Sequence, residues 1–175
     1  MNAMLTYVTH SDLRWFGQLQ TWTPPRWFRA WMIAATRLAD GWIYLGLAAL
    51  LLHTGGPCRR VLAAGCVAAS VGNALLVAIK RRVRRPRPCD LAPHLRFAVR
   101  PPDRWSFPSG HSVNAFSVGT LIALAFPPAA PLCLALAASV AASRVVLGMH
   151  FVSDVVAGSL LGAAVGTAAW ALLLC

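Results

Sequence analysis

The sequence contains no glutamate, and five aspartates, Asp12, Asp40, Asp90, Asp103 and Asp154, are its whole acidic complement. So few carboxylates, so widely separated, cannot build the cluster that two-metal phosphoryl chemistry requires. Charge of either sign is scarce: 12% of the residues are charged against 58% in the hydrophobic set, which leaves a soluble domain too little polar surface to cover itself. A C-x-x-C pair is also missing. Cys58, Cys66, Cys89, Cys133 and Cys175 stand apart, several inside apolar runs, and read as small buried hydrophobes, not as a disulfide framework or a metal site. There is no internal repeat and no low-complexity tail. The N-terminus lacks a basic start followed by an unbroken apolar core, so no signal peptide is expected.

What remains is the composition of an all-α, polytopic membrane helix bundle of about five to six crossings. Sixteen Lys and Arg give a formal charge of +11, so partners should be anionic. Runs long enough to cross a bilayer favour phospholipid surfaces or phosphorylated lipids over nucleic acid.

Residues 1–30 read as an N-terminal amphipathic segment and 31–175 as one transmembrane domain. Ser11-Asp12 is a plausible helix start, Leu13, Phe16 and Leu19 give an apolar stripe, and Pro24-Pro25 ends it. Trp15, Trp22, Trp27 and Trp31 beside Arg14, Arg26 and Arg29 are the composition of a membrane interface, so 12–30 is expected mainly as a helix lying on the bilayer, with a first transmembrane helix as the alternative. The first crossing is built on 42–52, about 17 Å at 1.5 Å per residue, and must extend backwards through Arg37 and Asp40, which could pair three apart on one helix. Further crossings are expected over 61–79, 110–126, 131–146 and 155–174, the last rich in Gly and Ala that permit close packing. In this register the 80–109 loop and the 147–154 turn share one side of the membrane, which brings three polar clusters together.

In the first cluster, Lys80 to Pro88, Arg81, Arg82, Arg84 and Arg85 fit an electrostatic anchor for lipid heads. Pro86 and Pro88 extend the chain around Arg87 and suit a guanidinium held in one direction for bidentate phosphate recognition. In the second, Pro108-Ser109-Gly110-His111 opens a helix, whose first N–H groups bind anions while Ser109 adds a hydroxyl and His111 lies within reach. In the third, Ser143-Arg144 is followed by His150 and Asp154, four apart, so that the carboxylate can hold one ring nitrogen and leave the other free to attack.

Lys80-x6-Arg87-Pro88, Pro108-Ser109-Gly110-His111 and Ser143-Arg144-x5-His150-x3-Asp154 together resemble the three-part signature of the type 2 phosphatidic acid phosphatase (PAP2) superfamily, in order and over 37–174. The small bacterial integral-membrane lipid phosphatases are the branch of this size. The resemblance implies that His150 is the nucleophile, that Asp154 holds its other nitrogen, and that His111 protonates the leaving oxygen and then activates water. It also implies that Lys80, Arg87, Ser109, Gly110 and Arg144 surround the phosphate, with Pro88 and Ser143 of second rank, and that neither metal nor cofactor takes part.

The substrate implied is a phosphomonoester or diphosphate of a membrane lipid: isoprenyl diphosphate, phosphatidylglycerol phosphate, phosphatidic acid or a lipid A phosphate. A lipid-to-lipid phosphotransferase would share the site, and a non-catalytic binder of anionic lipids is the reading from another class. The expected location is the bacterial inner membrane. Arg96, Arg100 and Arg104 add to the positive charge of the active face, which taken literally puts it in the cytoplasm; the resemblance points to the periplasmic face.

Overall fold

The computed structural model describes residues 3–91 and 103–175, and among these every regular element is helical. The chain runs through α1 (Ala3–Thr21), α2 (Arg26–Leu38), α3 (Trp42–Thr54), α4 (Pro57–Val83), α5 (Pro88–Leu91), α6 (Gly110–Ala125), α7 (Ala130–Val146) and α8 (Val152–Leu173), with a short 3-10 turn, Pro127–Ala129, leading into α7. Helix boundaries follow local chemistry. Pro57 opens α4 after Gly56, where its missing N–H costs nothing. Arg84 ends the same helix in the left-handed region, at φ 51°, and turns the chain toward the bundle.

Among the described residues three segments are long and apolar enough to cross a membrane: Pro57–Leu91, Pro127–Val146 and Val152–Leu173. A fourth candidate is the pair α2 and α3, bent by 58°. Exposed apolar side chains such as Leu45, Val71, Leu132, Leu160 and Leu172 line the outside of the bundle, as on a surface solvated by lipid. The expected crossing at 110–126 is α6, whose 16 residues span only about 24 Å. It lies at the centre, packed against α4, α7 and α8.

The α6–α8 contact rests on Gly158, Gly162 and Gly166, one helix turn apart on α8. A Cβ on Gly158 would stand 2.6 Å from the Ser109 backbone oxygen, and one on Gly162 or Gly166 would collide with the backbone oxygens of Val113 or Ser117. The two backbones therefore touch where side chains would normally separate them. This fixes the His111 end of α6 beside the Asp154 end of α8.

Several expectations need correction. None of the five cysteines is buried, Cys66 and Cys175 being exposed and the others partly so, and Ser11-Asp12 lies inside α1, not at its start. The first crossing does not continue helically through Arg37 and Asp40: the helix breaks at Asp40-Gly41, where glycine takes φ 138°, and the Asp40 carboxylate faces His111, not Arg37. The segment 12–30 is not one helix but parts of two, separated at Pro24-Pro25, and α2 continues past residue 30 to Leu38. Nor is 80–109 wholly a loop, since α4 carries Lys80 in its last turn and α5 follows Arg87. Arg96 and Arg100 lie outside the described residues.

Candidate active site

The turn between α7 and α8 holds the third cluster. Gly148, at φ 78°, folds the chain back so that the N–H groups of Met149 and His150 both donate to the Arg144 carbonyl, at 2.9 and 3.1 Å. His150 is 2% exposed. Its Nδ1 lies 3.5 Å from Asp154 Oδ2, close enough for the carboxylate's charge to act on the ring but long for a hydrogen bond. Asp154 is fixed by other donors: Oδ2 accepts the Phe151 N–H at 2.9 Å, and Oδ1 accepts Arg85 Nη1 at 2.7 Å. Burial pushes the His150 ring down to about 4; Asp154 opposes this, while the charges of Arg87 and Arg144 reinforce it. The ring is therefore neutral at pH 7, the state in which a nitrogen lone pair can attack.

Arg87 is buried and reaches four groups. Its Nη1 donates to the Met149 carbonyl at 2.7 Å and stands 3.3 Å from His150 Nε2, Nε donates to the Asp103 carbonyl at 2.8 Å, and Nη2 pairs with Asp103 Oδ1. Lys80, the only lysine in the chain, pairs with Asp103 Oδ2 and donates to the Trp105 carbonyl at 2.9 Å. One half-exposed carboxylate thus bridges the two cations that the sequence nominates for phosphate. Burial would raise the Asp103 carboxyl, but its hydrogen bond with Lys80 and the charges of Arg87, Lys80 and His150 bring it below the usual range. Arg144 is buried, with Nη1 donating to the Thr36 hydroxyl.

Ser109 caps α6 from a fully buried position: its N–H donates to the Asp154 carbonyl at 2.9 Å and its hydroxyl accepts from Ser112 at 3.0 Å. Gly110 follows as the first helical residue, in the turn whose N–H groups lack helical partners. His111 presents Nε2 to Asp40 Oδ1 at 2.8 Å. Pro88 is buried at the start of α5. Ser143 donates to the Val140 carbonyl within its own helix at 2.6 Å, a local bond that leaves it no evident part at the phosphate. Among the described residues no three His, Cys, Asp or Glu side chains gather as a metal site.

Several neighbours escaped the sequence reading. Arg85, expected at lipid heads, is fully buried and paired with Asp154 and Asp12. A signal was available: in an extended stretch residues i and i+2 point the same way, so a chain stiffened by Pro86 and Pro88 turns Arg85 and Arg87 to one side. For Asp12, Thr36, Asp40 and Asp103 no local pattern could have found the partner.

Comparison with known proteins bears on the whole arrangement. A family model described as the PAP2 superfamily matches residues 61–174, a range that begins inside α4, not at residue 37. Decaprenylphosphoryl-5-phosphoribose phosphatase of Mycobacterium tuberculosis is 41% identical over 128 residues, covering 72% of this chain and 68% of that protein. The PAP2 type phosphatidylglycerolphosphate phosphatase of Bacillus subtilis superimposes with a TM-score of 0.75 at 23% identity, over 94% of this chain and 85% of that one. For Aquifex aeolicus LpxE the TM-score is 0.78 at 21% identity, over 91% of this chain and 94% of that one. At those identities the two structures speak to the fold alone.

Proposed function

The chain belongs to the PAP2 superfamily and is a membrane phosphatase, and from that premise we propose that it removes a terminal phosphate from a polyprenyl-linked lipid through a phosphohistidine at residue 150. The observation that carries this reading is the approach of Arg87 Nη1 to within 3.3 Å of His150 Nε2, on the ring edge opposite Asp154. A phosphoryl group held by the Arg87 fork would meet the attacking nitrogen directly.

In the first step the Nε2 lone pair attacks phosphorus and the bond to the lipid oxygen breaks, while His111 gives that oxygen a proton. Lys80, Arg87, Arg144 and the N–H groups at the start of α6 stabilise the charge on the non-bridging oxygens. Asp154 stabilises the cationic ring of the phosphohistidine. In the second step His111, now neutral, takes a proton from water; the water oxygen attacks phosphorus, the P–N bond breaks, and inorganic phosphate leaves. Asp40 at Nε2 of His111 orients that ring and leaves Nδ1 to exchange the proton. Asp103 holds Lys80 and Arg87 in register until the substrate's oxygens displace it.

The lipid character is supported by an apolar groove of about 280 Å³ between α3, α4 and α6. It is lined by Tyr44, Leu51, Gly65, Asn73, Asn114 and Val118 among others, and Asn114 lies one helix turn below His111. A lipid whose leaving oxygen sits at His111 could lay its chain there. The polyprenyl choice follows the relative at 41% identity, named for a decaprenyl lipid.

Phosphate release should be measured on purified protein in detergent micelles with decaprenylphosphoryl-5-phosphoribose, geranylgeranyl diphosphate, phosphatidylglycerol phosphate and phosphatidic acid. The polyprenyl substrates are expected to give the highest kcat/KM, and His150→Ala to lower release by at least about 10³-fold. Phosphate appearing on a second lipid would make the protein a phosphotransferase, and undiminished release by the variant would remove the nucleophile.

A further inference from the structure

Arg85 is fully buried, yet none of its contacts reaches the phosphate cradle. Its Nη1 donates to Asp154 Oδ1 and to the Ser153 hydroxyl, both at 2.7 Å, and its Nη2 to Asp12 Oδ2 at 2.6 Å. The guanidinium carbon lies 4.3 Å from the centre of the Phe151 ring. Asp12, in the middle of α1, also accepts the Ser153 hydroxyl and, at 3.4 Å, the Ser153 N–H. Phe16, one turn on, packs edge-to-face against Phe151 with ring centres 6.0 Å apart. The N-terminal helix is therefore clamped to the turn that carries His150 through a buried carboxylate–guanidinium–carboxylate chain.

A buried guanidinium that lost one of its two carboxylates would load its charge onto the other. Here the other is Asp154, whose remaining oxygen faces His150. We propose that Asp12 and Arg85 are positioning residues for the nucleophile: the α1 carboxylate shares the guanidinium with Asp154, which fixes the Asp154 carboxyl plane and sets how much negative charge the imidazole feels. This rests on the reading of His150 as nucleophile. It adds a contribution from a part of the chain outside the 61–174 family match.

The groups around the His150 ring are Arg87 from the stretch after α4, Asp103 with its partner Lys80, Arg144 from α7 and Asp154 from α8, with Arg85 behind Asp154. Removing the Asp12 charge leaves this surrounding more positive by one unit. A more positive surrounding favours the neutral ring, so the acid limb of kcat/KM moves to lower pH; it also weakens support for the cationic phosphohistidine, so kcat falls. The cradle is untouched, so KM holds.

The test uses the full chain in micelles with geranylgeranyl diphosphate as probe. Asp12→Asn should lower kcat about ten- to a hundredfold, leave KM within about twofold, and shift the acid limb down by about half a unit, while Asp12→Glu should recover most of the loss. Ser153→Ala, which removes a bridging hydroxyl but no charge, should lower kcat several-fold at constant KM, and it decides the matter if Asp12→Asn does not fold. Wild-type kcat and pH profile in Asp12→Asn, or in Ser153→Ala where that variant decides, would overturn the proposal, as would a rise in KM at constant kcat. His150→Ala run alongside separates the failures: if it still releases phosphate, the nucleophile itself is wrong; if it is dead while the other variants behave as wild type, only the α1 clamp is.

Discussion

Arg84, Arg85 and Arg87 lie within four positions and have three fates. Arg84 is exposed and bonds the carbonyl of Arg81 in its own helix; Arg85 is buried behind Asp154; Arg87 is buried in front of His150. The spacing of Lys80 and Arg87 is legible because a short stiff segment sets the distance between them; His150 and Asp154 meet although His150 precedes α8, through the turn in which the Phe151 N–H donates to the Asp154 carboxylate. The pairs Asp12–Arg85 and His111–Asp40 were not legible, because they join residues 73 and 71 apart and depend on how helices dock. The lowered proton affinity of His150 gives a pH prediction. As the proposed nucleophile the ring must be neutral to attack, so activity is lost as pH falls through its value, and that limb should lie near pH 4, well below the 6.5 of an ordinary histidine. A kcat/KM profile on p-nitrophenyl phosphate, corrected for substrate ionisation, checks this; an enzyme limb at 6.5 would contradict it. Asp40→Asn should slow phosphoenzyme formation, followed in the pre-steady state, about tenfold from a lipid phosphate but spare that step with p-nitrophenyl phosphate, whose leaving group needs no proton. Equal loss on both would separate Asp40 from leaving-group protonation.

Among elements, α6 and α8 decide whether the clusters meet. The glycines of α8 were visible in the sequence as a close-packing composition, but their partner was not, since no local rule says which helix they will face. The apolar runs under α4, α7 and α8 were legible for the reason that makes them span: length and continuity. The bend between α2 and α3 is hidden because 42–52 reads as the inner part of a longer helix, whereas α2 ends at Leu38 and the chain turns over 39–41, with Gly41 at positive φ. Gly162→Ala forces a methyl group into the Val113 backbone oxygen, at a cost of about 1–3 kcal/mol. The variant should melt lower and lose kcat. Gly65→Ala is the control, since its Cβ meets only Leu121 Cδ2 at an ordinary 3.5 Å. Indistinguishable melting of the two variants would mean that the α6–α8 contact is looser than described.

At the scale of the molecule, a bundle with lipid-facing sides carries a cationic cradle and two imidazoles beside an apolar groove. This union of membrane surface and phosphate chemistry was legible from the missing glutamate, the apolar composition and the three polar clusters, whereas the groove was not, being a product of packing. The most direct test of the central claim is to trap the covalent intermediate. His111→Ala should still react with p-nitrophenyl phosphate in its first step, because nitrophenolate leaves unaided, but should be slow to activate water. Rapid acid-free quenching with 32P-labelled substrate should then give close to one equivalent of an acid-labile, base-stable phosphoenzyme. Peptide mapping should find the label on residue 150, and the label should vanish when His150→Ala is added. Label on any other side chain, or turnover with no phosphoenzyme at any quench time, would contradict the account.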